Sequence, residues 1–570
     1  MMKHVFAKLA DTKTSKLRLG ILLLCIFIFL VHSSYIFNTF VWLDHGDIEG
    51  ARALVPFSGL GTAFLQRFGE TSFYRPLVSV AHLIDATLYG LWAPGFHITN
   101  ILWHIGAAVA ASLFISAFFP LSVLEFLIVM LVFGVHPLSW LPVGAISYRQ
   151  EIMVSVFTYL ATYLHSRTRI TGSRLYGALT LVTILLALFS KETALFWIPA
   201  YIGLWELHNH KPNKTTIINR NALLAAEGFA LALYCLLRVY AVPEIWKTQG
   251  LSVSLMQMAF ARLYLVGSTL TGLILPMKPA LSDAVPLIPG PHVYVMLALV
   301  CIALYGTYLR KHPQLNSWNL AGIMLGIALL PALNLIPLPR FNSPHYAYFA
   351  VPVAGLFIVL AMRQKKIAKF VMITLALWVI VAAIATYSSG PQFHDDVTLF
   401  KAEVQQDPMF LEGQYYLGYY YWQHKDYKKA ETYFKAAMPD DYTYVAYVDK
   451  SALYINYAGI LLMQNRLKEA ELYLQKSQQY STLSMKPLII YNLALIAAKQ
   501  QDYDKVAMLL TQNDIRWKRA EPLLLQADAL YRIGKKKEAI AVLKKNLSLF
   551  NKTQQTQVQK LIESEATPTN

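Results

Sequence analysis

Apolar stretches of about 20 residues recur along the chain from Leu19 to about Thr386 and then stop. A helix needs about 20 apolar residues to cross the hydrocarbon core of a bilayer. This pattern therefore predicts that most of the chain is a bundle of membrane-spanning helices. Only 15% of the residues are charged and 56% are hydrophobic, which excludes a simple cytosolic enzyme and an intrinsically disordered chain.

The composition changes at a Gly-Pro break near residues 388–391, beyond which the chain is polar with helical periodicity. We therefore predict a membrane domain over residues 1–390 and a soluble domain over residues 391–570. The predicted fold class is all-α, with a polytopic helical membrane domain followed by an α-solenoid.

Basic clusters in short loops set the predicted topology, because Lys and Arg favour the cytoplasmic side. They lie at the N-terminus and at 167–174, 211–220, 310–311 and 363–369. These clusters place the N-terminus in the cytoplasm and the C-terminal domain outside it, after about 11 crossings. The predicted spans are 19–37, 97–118, 121–138, 146–165, 175–190, 193–206, 221–241, 292–309, 319–338, 345–362 and 370–388.

The apolar segment 256–275 would break this alternation, and we interpret it as re-entrant or interfacial. The net charge of +17 reflects the cytoplasmic loops. It does not indicate nucleic-acid binding, because the basic residues are scattered and form no continuous patch.

The polar C-terminal part contains a weak internal repeat of the tetratricopeptide (TPR) kind. Small or β-branched residues that mark the second helix of each unit recur at intervals of 33 to 40 residues, at Ala430, Ala470, Val506 and Ala539. About four such helix pairs would stack into a solenoid whose concave face usually holds a polypeptide. A generic helical bundle is the alternative.

Charged side chains at membrane depth are costly and usually functional. The predicted topology collects acids and cations at the outer ends of the spans, in one extracytoplasmic cavity. They are Asp44, Asp47, Glu49, Arg75, His97, Arg149, Glu151, Lys191, Glu192, Arg238, Arg340 and His345. Converging cations suit a phosphate or pyrophosphate head group, and a lipid-linked donor would leave its tail in the bilayer.

Several of these residues have more than one interpretation. Asp44 or Asp47 in the first outer loop could be a general base or hold a divalent cation, or be a solvated cap. Arg75 could bind phosphate or anchor the chain at the interface. His97 and His104, seven residues apart on one helix face, could bind a metal or make core hydrogen bonds.

Two further charged pairs open predicted spans, Arg149 with Glu151 and Lys191 with Glu192. Each pair could serve the site or only lock helices together. Another outer turn, which is shaped by three prolines, is flanked by Arg340, His345 and Tyr346.

The order of these motifs resembles that of a known family. An acidic first loop is followed by Tyr-Arg-Pro-Leu at residues 74–77, by His-Ile-Thr-Asn-Ile-Leu-Trp-His at residues 97–104, by Ser-Lys-Glu-Thr at residues 190–193 and then by the repeats. Over nearly the whole chain this resembles the GT-C glycosyltransferases of the transmembrane-and-TPR protein O-mannosyltransferase type, including bacterial relatives.

The resemblance implies an inverting transfer of sugar from a polyprenyl-phosphate donor to a hydroxyl, outside the cytoplasm or in the ER lumen. It implies that Asp44 is the catalytic acidic residue of the first loop, that Arg75, Arg149 and Lys191 lie near the donor phosphate, and that Glu192 pairs with Lys191. In a bacterium this would place the protein in the inner membrane, with the repeats in the periplasm.

Two positions depart from the family pattern. The family often has two adjacent acids in the first loop, where this chain has Leu43-Asp44. A role for Mg or Mn is therefore open, and either Asp44 or Asp47 is the candidate base. The family tends to have Arg-Tyr-x-Tyr where this chain has His345-Tyr346-Ala347-Tyr348, so His345 or Arg340 would supply the contact to phosphate.

The sequence leaves three functions open. The first is sugar transfer to a protein Ser or Thr held by the repeats. The second keeps the chemistry but uses a surface glycolipid or cell-wall polymer as acceptor, with the repeats recruiting partner proteins. The third is a non-catalytic membrane scaffold or lipid transporter.

Overall fold

The computed structural model contains two compact units. Residues 1–410 and 440–447 form the first unit, and residues 411–439 and 448–570 form the second. The first unit thus continues past the Gly-Pro break and includes a short segment from within the predicted solenoid. The structure describes residues 2–50, 60–69, 71–209, 219–243, 253–335, 338, 340–438, 443–481, 485–511, 515, 517 and 519–566.

The first unit is almost entirely helical, with one pair of very short antiparallel strands, β1 (Val285–Pro286) and β2 (Tyr444–Val445). Its described α-helices are α1 (Met2–His32), α2 (Leu60–Ala63), α3 (Pro76–Tyr89), α4 (Ala93–Phe118), α5 (Val123–Val135), α6 (Trp140–Gly144), α7 (Arg149–Thr171), α8 (Arg174–Ser190), α9 (Ala194–His208), α10 (Arg220–Ala241), α11 (Leu255–Ile274), α12 (Val293–Lys311), α13 (Ser317–Leu329), α14 (Val351–Met362), α15 (Ala368–Ser389) and α16 (Asp396–Gln406).

Local signals in the sequence explain where several of these helices begin and end. Pro76 occupies the first turn of α3, where its missing N–H is tolerated. Ser122 and Glu125 form a capping box at the start of α5. Gly172 ends α7 in the left-handed conformation, with φ of 69°.

Six helical stretches of the described residues are long and apolar enough to cross a membrane, or seven if the bent pair Val123–Val135 and Pro137–Gly144 is one span. The six are Ser15–Tyr35, Ala93–Phe118, Arg220–Ala241, Val293–Lys311, Pro344–Met362 and Ala368–Phe393. These helices fit a membrane protein, and α12 and α15 expose many apolar side chains, as lipid-facing helices do.

The other four predicted spans coincide with shorter or more polar helices. α8, α9 and α13 have 17, 15 and 13 residues, and α7 carries charged and hydroxyl side chains along its length. The count of 11 crossings therefore stays a prediction. The segment expected to be re-entrant or interfacial forms α11, which does not pass the same test of length and hydropathy.

A short 3-10 turn, Pro344–Ala350, is fixed in place by buried contacts. The Tyr348 hydroxyl and His104 Nδ1 are 2.8 Å apart. The Phe349 ring stacks on Trp197 with 3.7 Å between the ring centres, and the Phe349 carbonyl accepts a hydrogen bond from Tyr159. These contacts orient the polar residues that open the turn.

The second unit is a series of helix pairs in which each helix packs against the next. The described helices are α17 (Leu411–Gln423), α18 (Tyr427–Ala436), α19 (Lys450–Met463), α20 (Leu467–Gln478), α21 (Lys486–Lys499), α22 (Tyr503–Thr511), α23 (Ala520–Arg532), α24 (Lys536–Lys545) and α25 (Lys552–Ala566). The repeat positions Ala430, Ala470, Val506 and Ala539 are all buried. The four predicted units thus coincide with four helix pairs, while their assignment to the TPR class stays a prediction.

Candidate active site

Five of the predicted site residues, from four separate segments, converge on one buried group. We call Arg75, Glu151, Lys191, Glu192 and His345 the ionic cluster. Arg75 precedes α3, Glu151 lies in the first turn of α7, Lys191 and Glu192 connect α8 to α9, and His345 lies in the turn before α14. The cluster therefore gathers the ends of several helices at one place.

Arg75 and Glu192 form a two-pronged ion pair in the cluster. Arg75 Nε and Nη2 donate to the two carboxylate oxygens of Glu192, at 3.1 and 2.6 Å. The Arg75 guanidinium also lies 4.0 Å from the centre of the Phe73 ring. Two parallel charge-assisted hydrogen bonds fix both the position and the orientation of the guanidinium.

The other half of the cluster is centred on Glu151. Lys191 Nζ contacts Glu151 Oε1, and His345 Nε2 lies 3.4 Å from the same oxygen. The expected pairing of Glu192 with Lys191 is therefore replaced by two other pairs. The reason is local, because Lys191 has extended backbone angles (φ −161°, ψ 141°) and neighbouring side chains of an extended chain point to opposite sides.

The acids balance the cations in this cluster. Arg75 and Lys191 carry two positive charges, and Glu151 and Glu192 carry two negative charges, within side chains that are at most 15% exposed. Buried charges are stable when they are paired and hydrogen-bonded. The cluster is thus an ordered set of ion pairs between these acids and cations.

Asp44 is fully buried a short distance along the chain from the first apolar helix. Its Oδ1 accepts hydrogen bonds from the Ser147 amide at 2.7 Å and from the Ser147 hydroxyl at 2.6 Å. Its Oδ2 accepts from the Ile146 amide at 3.2 Å. Burial raises the pKa of the Asp44 carboxyl to about 6, although these hydrogen bonds favour its charged form.

Arg149 forms its own buried group. Its Nη2 lies 2.6 Å from a carboxylate oxygen of Asp85, and its Nε donates to Asn100 at 2.6 Å. Arg149 is completely buried. Asp85 was not singled out from the sequence, although a lone acid within an apolar helix is a signal for a functional or paired charge.

Aromatic rings link these groups to the ionic cluster. The Tyr148 ring lies 4.7 Å from the His345 ring and 5.3 Å from the Trp42 ring. Tyr148 also stands in the chain between Ser147, which binds Asp44, and Arg149. Tyr148 therefore connects His345 of the ionic cluster with Trp42 of the first loop.

The remaining predicted residues lie close to the same turn and first loop. Tyr346 donates to the Arg340 carbonyl at 3.0 Å, and its ring centre lies 5.9 Å from Lys191 Nζ. Asp47 is buried in the single π-helical turn His45–Glu49.

The two predicted histidines do not share a site. His97 Nε2 lies 3.3 Å from the Thr39 carbonyl oxygen, whereas His104 contacts Tyr348 and the Gly134 carbonyl. Within the described ranges, no three His, Cys, Asp or Glu side chains are grouped as a metal site. The oxygens of Asp44 face hydrogen-bond donors of the protein, which does not fit a resident divalent cation.

A second buried ionic group lies near the other end of α7 and was not predicted. We call it the α7 C-terminal cluster. His165 lies between Glu206 and Glu227, at 3.1 and 2.6 Å. Glu206 also pairs with Arg169 and Arg220, each at 2.8 Å. Glu206 and Glu227 stand near expected cytoplasmic ends, where an acid is ordinarily a solvated side chain.

No protein-family model matches the chain. A curated relative, the protein O-mannosyl-transferase F38B6.6 of Caenorhabditis elegans, is 22% identical over 365 residues. The aligned region covers 60% of this chain, and the chain spans about half the length of that relative. This similarity supports a relationship to glycosyltransferases, and the long apolar helices fit a membrane protein.

Proposed function

We propose that this protein is a membrane glycosyltransferase of the GT-C type that moves a sugar from a polyprenyl-phosphate donor to a hydroxyl group of a protein. The observation that carries the proposal is the buried ionic cluster, whose His345 ring lies 4.7 Å from the ring of Tyr148, next in the chain to the Ser147 that binds Asp44. The similarity to a protein named as an O-mannosyl-transferase supports the same reaction class. The sugar itself is left to experiment.

The proposed reaction begins with a proton transfer. Asp44 accepts the proton of the acceptor hydroxyl as that oxygen attacks C1 of the sugar, and the configuration at C1 inverts. Asp44 Oδ1 is occupied by the Ser147 hydroxyl in the resting structure. A side-chain hydroxyl can rotate away, unlike the backbone amides, so the acceptor hydroxyl takes the place of Ser147 Oγ beside Asp44.

The bond between C1 and the phosphate oxygen breaks, and its electron pair leaves with the polyprenyl phosphate. Arg75 and Lys191 stabilise this anion in the proposed site, helped by Arg149 and by Arg340 or His345. Fixed cations in a site with little water are effective because they need no reorganisation during the reaction. Glu151 and Glu192 hold the two cations in place before the donor binds.

The proposed topology follows the basic loops. The N-terminus lies in the cytoplasm, and the ionic cluster and the repeat unit lie on the extracytoplasmic side, which in a bacterial inner membrane is the periplasm. The helix pairs of the second unit are proposed to be tetratricopeptides that hold the polypeptide acceptor or a partner protein. No step of the proposed reaction uses Mg or Mn.

The test uses the full-length protein in detergent or lipid nanodiscs, a panel of polyprenyl-phosphate sugars and candidate acceptor peptides, with mass spectrometry to detect a sugar mass shift. Transfer by the wild type and its loss in Asp44→Asn are expected. Glu403→Gln is the matched control, because Glu403 is also a buried acid that accepts a backbone hydrogen bond, from Leu281 at 2.8 Å.

Any of three results would contradict the proposal. Full activity of Asp44→Asn would remove Asp44 as the base. Absence of transfer to any peptide, with transfer to a glycolipid or a cell-wall polymer, would change the acceptor class. Absence of transfer to every acceptor, with an Asp44→Asn strain that grows normally, would favour the scaffold or transporter.

A further inference from the structure

The Arg340 guanidinium lies between two aromatic rings. Its central carbon is 5.0 Å from the centre of the Trp42 ring and 5.1 Å from the centre of the Tyr447 ring. A guanidinium within about 6 Å of an aromatic face is attracted by the ring and held in a preferred orientation. Trp42 belongs to the first loop, two residues before Asp44, whereas Tyr447 comes from a distant part of the chain.

Tyr447 belongs to a segment that interrupts the helix pairs of the second unit. Residues 440–447 stand between α18 and α19 in sequence but are part of the first unit. β2 pairs with β1, with Val445 opposite Val285, and the Leu287 amide donates to the Thr443 carbonyl at 2.7 Å. The segment is thus built into the first unit by backbone hydrogen bonds.

Two further contacts fix the register of this segment beside Arg340. The Tyr447 amide donates to an Asp283 carboxylate oxygen at 2.8 Å. The Val445 side chain packs on the apolar group that contains Val285 and Phe341. Because Phe341 is the neighbour of Arg340, the same small core places both the arginine and the tyrosine that faces it.

The other ring of the pair is also held firmly, and at a conformational cost. Trp42 has a φ of 58°, which is rare for a bulky residue. Its amide donates to Asp396 at 2.7 Å, and its ring contacts those of Tyr148 and Phe400. Strained residues that the surroundings hold in place are found preferentially at functional sites.

We infer that Tyr447 is a positioning residue of the proposed active site: with Trp42 it holds the Arg340 guanidinium beside the first loop, in position to bind the donor phosphate. Part of the site is therefore supplied from within the repeat region of the chain. The inference rests on the proposed function for the role of Arg340, whereas the placement of Arg340 by Tyr447 can be tested without activity.

The test compares Tyr447→Leu with Tyr447→Phe in the full-length protein. The first measurement is the rate at which phenylglyoxal modifies Arg340, followed by peptide mass spectrometry. The second is the KM for the polyprenyl-phosphate sugar. Loss of a cation–π contact is expected to raise this KM by about 3- to 30-fold, with a smaller change in kcat, and to speed the modification of Arg340.

Tyr447→Phe keeps the ring and is expected to restore both values to those of the wild type. Tyr473→Leu is the matched control, because it removes a ring that lies 4.9 Å from Lys476 in the second unit and should change neither value. If Tyr447→Leu does not fold, Tyr447→Met replaces it, because the unbranched and flexible methionine side chain also lacks a ring and adapts to irregular gaps.

Wild-type values of both measurements in a folded Tyr447→Leu or Tyr447→Met variant would overturn the inference. Equal loss in Tyr447→Phe and Tyr447→Leu would overturn it too, because the ring would not be the determinant. If no donor supports transfer by the wild type, the proposed function fails, while the modification rate still decides whether Tyr447 positions Arg340.

Discussion

Arg75 and Glu192 are 117 residues apart in sequence and form a two-pronged, nearly buried ion pair. The pair joins the start of α3 to the connection between α8 and α9. It places a guanidinium of fixed orientation next to the Lys191–Glu151 contact. A pair of this kind orders the site and holds a cation that the phosphate of the proposed donor can share.

Replacing Arg75 by Gln is expected to lower kcat about 100-fold, since one preorganised cation is lost from the leaving phosphate. Arg75→Lys keeps the charge but not the second hydrogen bond, so its loss should be smaller. The measurement is the initial rate of sugar transfer at saturating donor, together with the unfolding temperature.

The control for Arg75 is Arg363→Gln. Arg363 makes the same two-pronged contact with Glu125, at 2.7 and 3.2 Å, but beyond the opposite end of α14 from His345. Both variants should lower the unfolding temperature, and only the Arg75 variant should slow transfer. An equal loss of activity in both would mean that Arg75 acts through stability alone.

The pH dependence of the reaction should report Asp44. The pKa of its carboxyl is raised to about 6 by burial, and only the ionised form accepts a proton. The kcat/KM for transfer should therefore rise with pH through about 6 and level off above it. The same raised pKa makes the contribution of Asp44 to stability greatest below about pH 4 and lost as pH rises through 6.

The variant Ser147→Ala tests whether Asp44 controls the pH dependence, because it should shift the pH–rate profile in a known direction. The hydrogen bond from the Ser147 hydroxyl favours ionised Asp44 and lowers its pKa. Without that hydroxyl the rising limb of the pH–rate profile should move to higher pH, while transfer at alkaline pH is retained. An unchanged profile, or a shift to lower pH, would show that another group controls the rate.

The α7 C-terminal cluster should affect stability and not catalysis. In this cluster, Glu206 forms ion pairs with His165, Arg169 and Arg220, whereas Glu227 pairs with His165. Removing a partner from buried charges costs about 3–5 kcal/mol when the charges are left uncompensated. Glu206→Gln should therefore lower the unfolding temperature more than Glu227→Gln.

Activity per folded molecule should stay at the wild-type level in both variants, measured after size-exclusion chromatography. A drop in kcat in either variant, with its unfolding temperature preserved, would show that this distant cluster takes part in the reaction cycle.

Chelation of divalent cations is expected to leave transfer unchanged. The described residues contain no group of three metal-binding side chains, and the Asp44 oxygens accept hydrogen bonds from Ser147 and Ile146. The measurement is the transfer rate with EDTA and after addition of Mg or Mn. Loss of activity with EDTA and its recovery with either metal would contradict this expectation.

The helical architecture was accessible from the sequence because apolar length and small-residue periodicity are local signals. The gathering of Arg75, Glu151, Lys191, Glu192 and His345 was also predicted, since charges at the same ends of apolar segments must meet when the segments pack. Their catalytic roles stay predictions.

The sequence does not predict which charged residues pair with each other. Lys191 and Glu192 are neighbours in sequence, yet the extended backbone at Lys191 turns them to different acids and cations. The proposed placement of Arg340 by Tyr447 depends on the pairing of two strands of two residues each. Strands this short have no periodic pattern from which the sequence could predict them. Asp85 was overlooked because one acid in an apolar helix does not reveal which buried cation it will meet.

The ion pairs at the two ends of α7 limit how the membrane unit can move. Glu151 and His165 are 14 residues apart on α7, or about 21 Å along its axis. They pair with Lys191, just before α9, and with Glu206 within α9. Sliding one helix past the other by a single turn, about 5.4 Å, would separate the ion pairs at both ends of α7 and leave buried charges without partners. If the donor is the proposed polyprenyl-phosphate sugar, we therefore expect its lipid tail to enter by displacement of other helices, with α7 and α9 moving together.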